Sequence, residues 1–221
     1  MAVSPASEGG AVRVDRRIER GDRRREAILQ SAMRVASVDG LEGLSIGRLA
    51  DELKMSKSGV LAHFGSKEDL QLAAIQAASQ IFAAEVVLPA FAGPLGFRRV
   101  ERLCLGWIDY ARRRVFPGGC FFCQVSAEFD ARPGRVHDAV AAAYRAWIRE
   151  LERSIEQARE LGEFAAGVEP TQLAFELDAL VRGANNRGML EADDSAYELA
   201  RAAINGRLAA VADGPHRSSV V

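Results

Sequence analysis

Histidine and cysteine are scarce in this chain of 221 residues: three of each. An odd cysteine number in a chain this long does not make a disulfide framework. No HExxH, P-loop or GxGxxG pattern occurs, so no catalytic constellation, metal or cofactor is expected. Long apolar runs are missing as well, and a membrane helix needs about 18 residues or more of one. The best stretch, FAAEVVLPAFAGPLGF, is interrupted by Glu85, Pro89 and Pro94. The opening MAVSPASEGG has no basic segment followed by an apolar one, so no signal peptide is read. These absences predict a soluble, cytoplasmic protein without a membrane partner. A net charge of −1 excludes a uniformly basic nucleic-acid coat. Also missing is the strict apolar/polar alternation of half-buried strands.

Helical period fills the chain instead, and 48% hydrophobic with 27% charged residues can build one large domain or two small ones. Ile28, Ala32, Val35 and Ala36 mark a helix over about 22–38 that stops at Asp39-Gly40. Ile46, Leu49, Ala50 and Leu53 mark a second, Val60 and Phe64 a third, and a fourth runs from Ser66 toward Pro89. Further helices are expected over 95–115, 119–130 and 135–161, then two around Leu173–Val181 and Tyr197–Val211. The tail from Gly214 reads as disordered. The fold class is all-α. Ahead of the first helix, Arg13 to Arg25 contains seven arginines against Asp15, Glu19 and Asp22. Residues 1–21 read as a basic arm, either a frayed solvated segment or a phosphate-seeking one.

Residues 43–47, GLSIG, match the G-x-S-x-G nucleophile elbow. That elbow needs a buried strand upstream, and VASVDGLEGL offers a helix end and a loop. Ser45 stands directly before an apolar-periodic run, where a hydroxyl accepting an orphan backbone N–H is worth about 1 kcal/mol. Ser45 reads as a helix cap. Ser66-x-x-Asp69 similarly approximates a capping box.

The short second and third helices, joined by LKMS, have helix-turn-helix spacing, in which the second helix puts its N-terminal residues at base edges in the major groove. Ser45-x-x-x-Leu49-Ala50, Met55-Ser56-Lys57, His63-Phe64 and Ser66-Lys67-Glu68-x-Leu70 together make residues 24–75 resemble the TetR family of transcriptional regulators. The resemblance implies a three-helix DNA-binding head over 22–68 and a helical body over 69–213 for ligand binding and dimerisation. By matching position, Ser45, Arg48, Lys57, Ser58, Gly59, Leu61, His63 and Lys67 would face DNA. The implied function is a ligand-responsive regulator, a repressor released from a pseudo-palindromic operator. The homodimer would form through two C-terminal helices at about 169–188 and 194–213. Departures from the family pattern are Leu61 in place of a tyrosine, Lys54 at a turn position often held by glycine, and Ala36 in place of a phenylalanine. If Lys54 is left-handed, that conformation costs on the order of 1–2 kcal/mol.

The body's aromatics are a filled core or the lining of a cavity. In the second case Trp107, Tyr110, Phe122 and Trp147 are the expected lining, and the effector is a small apolar or aromatic molecule. Cys120-Phe-Phe-Cys123 has redox or metal-binding spacing, but no second pair completes a zinc site, and the flanking phenylalanines favour small apolar fillers. The competing function is an all-α interaction or small-molecule module without sequence-specific DNA binding, which would leave the capped third helix and Lys57 unaccounted for.

Overall fold

The computed structural model describes residues 8–213, with side chains from Glu19 onward. The segments 1–7 and 214–221, including the tail expected to be disordered, lie outside the described residues. Ten α-helices follow one another, and no strand is present among the described residues. They are α1 (Glu8–Asp39), α2 (Ile46–Glu52), α3 (Lys57–Phe64), α4 (Lys67–Phe82), α5 (Leu88–Phe91), α6 (Phe97–Arg112), α7 (Phe121–Phe129), α8 (Arg135–Glu160), α9 (Pro170–Leu190) and α10 (Ser195–Val211). The first helix starts at Glu8 rather than near residue 22, so residues 8–21 of the expected arm extend α1 along its axis.

Local chemistry sets the ends of the head's helices. Ser45 caps α2 by accepting from the Arg48 N–H at 3.4 Å. Ser56 caps α3 through the Gly59 N–H at 3.0 Å, and Ser66 caps α4 through the Asp69 N–H at 3.0 Å. In return Asp69 takes the Ser66 hydroxyl at 2.6 Å, which holds its carboxyl below the usual carboxylate range together with Arg135. Ser56→Ala is expected to cost about 1 kcal/mol in a urea titration. Ser45→Ala should cost less, because its bond is longer. Lys54, in the α2–α3 turn, is left-handed at φ 53°, the strained conformation its position implied.

Ile28, Ala32 and Ala36 of α1 are buried with Leu49, Ala50, Val60 and Phe64, which welds the helix pair to the long first helix. Arg25 strengthens that weld. Its guanidinium lies 4.3 Å from the centroid of Phe64 and donates at 2.6 Å to the His63 carbonyl, one of the carbonyls left open at the end of α3. One arginine of the basic segment Arg13–Arg25 is thereby committed to the fold.

Between α4 and α5 the backbone makes a π turn, Ala83–Val87, just ahead of Pro89, whose missing N–H disturbs helical bonding there. The continuous helix Lys67–Phe91 is long and apolar enough to cross a bilayer by length and composition. A search for an unbroken apolar run does not register it. In the fold it packs on α1, α6 and α8. The body wraps α6 in α8, α9 and α10, and α7 lies against α1, α8 and α9.

Candidate DNA-binding face and effector cavity

On α3 the Lys57, Ser58 and Leu61 side chains are exposed, and Lys57 makes no ion pair among the described residues. Its aliphatic stem crosses α2 at Gly47, where a Cβ would come within 3.2 Å of the Lys57 Cε. Ser58 shares a hydrogen bond with Ser56 at 3.1 Å. Gly59 is taken up by its cap bond, and His63 is half-buried against Phe64. Arg48 and Lys67 are engaged rather than free. Arg48 pairs with Asp39 at the end of α1, and Lys67 donates to the Glu42 carbonyl at 2.8 Å and its carboxylate at 3.1 Å. The Lys67 hydrogen bond holds Glu42 below its ordinary range against the effect of burial. Beside α3, Arg20 and Arg24 of α1 form a groove with His63, so part of the basic segment flanks the exposed helix.

The body holds a half-open cavity of about 230 Å³ lined by Phe82, Trp107, Phe122, Tyr144 and Trp147, with Cys120, Glu150 and Arg182. Phe82 organises it, with ring centroids 5.1 Å from Trp147 and 6.1 Å from Trp107, both edge-on. Three of the four expected lining residues are here. Tyr110 is not; it is buried behind Phe82 at 5.5 Å and belongs to the core. A second cavity of about 330 Å³, lined by Phe129, His137 and Val140 among others, shares Tyr144 and Arg182 with the first.

An ion pair between buried Asp178 and half-buried Arg182 closes one side. Asp178, only 4% exposed, accepts from Arg182 Nε at 2.8 Å, from Trp147 Nε1–H at 3.2 Å and from the Tyr144 hydroxyl at 3.5 Å. Burial pushes its carboxyl above the usual range, and Arg182 with these hydrogen bonds opposes that. The Arg182 guanidinium also faces the Tyr144 ring at 4.8 Å. Sequence reading missed Phe82, Asp178 and Arg182. Ser79, Phe82, Ala83 and Val87 repeat at i, i+3, i+4 and i+8, a stripe that was legible. Nothing local marks Asp178 as buried, because its neighbours on three helices make it so.

Cavity and head are joined by α7. Cys120 at its N-cap and Phe122 in its first turn line the cavity, and near its end Glu128 accepts the Leu41 N–H at 2.6 Å and the Glu42 N–H at 2.8 Å. Those N–H groups belong to the loop between α1 and α2. Upstream of α7 the Pro117-Gly118-Gly119 break lies on α1. Gly118 donates to Ser37 Oγ at 3.2 Å, and a Cβ there would collide with the Ser37 carbonyl.

Comparison with known proteins gives this geometry its context. The family model for bacterial regulatory proteins of the tetR family matches residues 28–74, and that for the tetracyclin repressor-like C-terminal domain matches 96–204. The chain belongs to the TetR family. No curated protein matches it in sequence. Among solved structures, a TetR regulator from Chloroflexus aurantiacus superposes with a TM-score of 0.79 at 23% identity, over 88% of this chain and 98% of that one. A transcriptional regulator from Saccharomonospora viridis in complex with choline gives 0.72 at 19% identity, over 87% and 100%. AibR in complex with isovaleryl coenzyme A and operator DNA gives 0.67 at 21%, over 85% and 97%. At these identities the likeness is one of fold. Family membership makes the chain a DNA-binding, ligand-responsive transcriptional regulator that acts as a dimer.

Proposed function

We propose that this TetR-family regulator is a cytoplasmic repressor whose operator affinity falls when a small apolar or aromatic molecule enters the cavity beside Phe82. The observation that carries the reading is α7, which starts in the cavity wall and ends with Glu128 bonded to the backbone of the DNA head. An occupant that displaces Phe122 moves the element the head rests on. Its binding then couples to DNA affinity by the free-energy difference between the two arrangements.

The DNA face comprises Ser45, Arg48, Lys57, Ser58, Gly59, Leu61, His63 and Lys67. Within it Lys57 is the base-reading candidate, suited to guanine O6 and N7. Leu61 offers an apolar contact to a thymine methyl, while Ser58, His63 and the backbone of Gly59 suit phosphates. Arg48 and Lys67 reach phosphates by exchanging Asp39 and Glu42 for them. Arg24 on α1 adds a further cation at the groove.

Two copies pair through α9 and α10. Phe175, Ala179, Gly183, Asn186 and Leu190 form one exposed stripe, and Leu199, Ala202, Ala203 and Gly206 another. Phe175 is 64% and Leu190 82% exposed, apolar area that a lone subunit leaves in water. Pairing there would set two α3 helices about 34–36 Å apart, one turn of duplex.

Selection of bound duplexes from a random DNA pool tests this, with an inverted repeat as the expected product. Failure of the ligand-free, folded protein to enrich any sequence would overturn the repressor reading. On the selected operator, Lys57→Ala is expected to change which base is preferred at one position of each half-site, by about 1–3 kcal/mol. A fall in affinity with unchanged preference would reassign Lys57 to a phosphate.

A further inference from the structure

The two cysteines of Cys120-Phe-Phe-Cys123 are more than small fillers in this structure. Cys120 occupies the N-cap position of α7 with extended backbone, φ −77° and ψ 117°; it is buried and is one of the residues that line the cavity. The Trp107 indole N–H donates to that sulfur at 3.4 Å. The Cys120 N–H is fixed in turn by Asn185 Oδ1 at 2.9 Å. Cys123, one turn on, is half-buried, and the two thiols are in hydrogen-bond contact. Burial raises the Cys120 thiol, but hydrogen bonds from Cys123, from Trp107 and from the Cys123 and Phe122 backbone N–H groups bring it below the ordinary range. Its partner Cys123 is pushed well above. The charged groups facing the pair are Arg182 and Asp178 from α9. This is the asymmetry of an attacking and a resolving thiol at a helix N-terminus. Cys104, in α6, is buried to the same degree as Cys120, and there burial pushes the thiol up to about 12.

We propose that Cys120, in the cavity wall, and Cys123, one turn on, form an oxidisable dithiol, which a small hydroperoxide converts to a disulfide, giving the regulator a redox input. The Cys120 thiolate sulfur attacks the terminal oxygen of the hydroperoxide. The O–O bond breaks, and the departing alkoxide takes a proton and leaves as an alcohol. The Cys123 sulfur then attacks the resulting sulfenic sulfur. The S–S bond forms, the S–O bond breaks, and the hydroxyl leaves as water with the Cys123 proton. Two thiols lose one electron each, and the hydroperoxide is reduced by two. Thiol–disulfide exchange with a cytosolic dithiol restores the reduced form. The disulfide leaves the Trp107 N–H a weaker, repositioned sulfur acceptor and re-forms the first turn of α7. Its consequence for DNA rests on α7 being the link to the head, while the thiol chemistry does not.

The test treats the reduced full-length protein with hydrogen peroxide and, separately, with cumene hydroperoxide, then maps thiols by alkylation and mass spectrometry. Loss of two of the three thiols is expected, with Cys104 still alkylated, Trp107 fluorescence changed, and affinity for the selected operator lowered at least tenfold until dithiothreitol is added. Cys123→Ser should stop at a sulfenic acid on Cys120, and Cys120→Ser should keep Cys123 reduced. The proposal is overturned if Cys104 oxidises as fast as Cys120, or if no disulfide forms in the folded wild-type chain. It is equally overturned if the disulfide forms and operator affinity is unchanged. A reduced protein that selects no DNA sequence would instead sink the repressor reading, and the thiol map would still judge the chemistry.

Discussion

Arg182→Met is expected to destabilise the body by about 3–5 kcal/mol, because it leaves the Asp178 carboxylate buried without its cation. Asp178 keeps the Trp147 indole and the Tyr144 hydroxyl as donors, but neither carries charge. The loss should depend on pH in a definite direction. Burial already raises the folded Asp178 carboxyl above its ordinary value. A carboxyl raised on folding adds stability below its unfolded value and loses that contribution as pH climbs through the folded one. Without Arg182 the folded value rises further, so the deficit is largest near neutrality and shrinks as the solution is acidified toward the ordinary carboxylate range. Urea titrations of both proteins at several pH values would measure this. A deficit independent of pH would mean that lost packing, and not the stranded carboxylate, sets the cost. The double variant Asp178→Leu with Arg182→Met should recover more than half of the loss. The residue of the deficit is the Trp147 N–H, left without an acceptor.

Glu128→Ala is expected to disconnect the cavity from the DNA head. The carboxylate accepts two backbone N–H groups of the α1–α2 loop at 2.6 and 2.8 Å, and bonds to a charged acceptor contribute about 1.5–3 kcal/mol each. Gly40 is left-handed at φ 77°, and a Cβ on it would meet the same carboxylate, so the loop is shaped around Glu128. In the variant, the effector's influence on operator affinity, about 5–150-fold in coupled systems of this kind, should fall to near unity while the head still binds DNA. Heat unfolding offers a readout that needs no effector. The single transition of the parent should split as the head melts below the body. One sharp transition with undiminished coupling would move the link to α4, which also touches both parts.

The local geometry of the helix-turn-helix was legible in the sequence to a useful depth. Ser45, Ser56 and Ser66 are caps because a hydroxyl before an apolar-periodic run meets orphan backbone N–H groups within its own first turn, and such interactions span three residues. The same locality placed Lys57, Ser58 and Leu61 on the outer side of α3. What their neighbours do with them was not legible. Arg25 looked like part of a phosphate-seeking arm, yet it closes the end of α3 from a position 38 residues away. Lys67 and Arg48 looked like free cations and are held by Glu42 and Asp39.

In the body, periodicity identified the helices, and the clustering of aromatics along the chain pointed to Trp107, Tyr110, Phe122 and Trp147 as cavity lining. It could not separate a wall residue from a core residue, which is why Tyr110 belongs behind Phe82 and not beside the cavity. The sequence by itself determined the helices, their caps and the helix-turn-helix class, since these depend on side chains within a turn or two of one another. Tertiary structure alone decided that Asp178 is buried beside a half-buried Arg182, that Cys120 meets Trp107 at a cavity, and that Glu128 holds the head. Arg182 lies one turn from Asp178 on α9, but the burial of that carboxylate and the other partners come from separate helices, and only packing, which excludes water and fixes distances across the chain, brings them together.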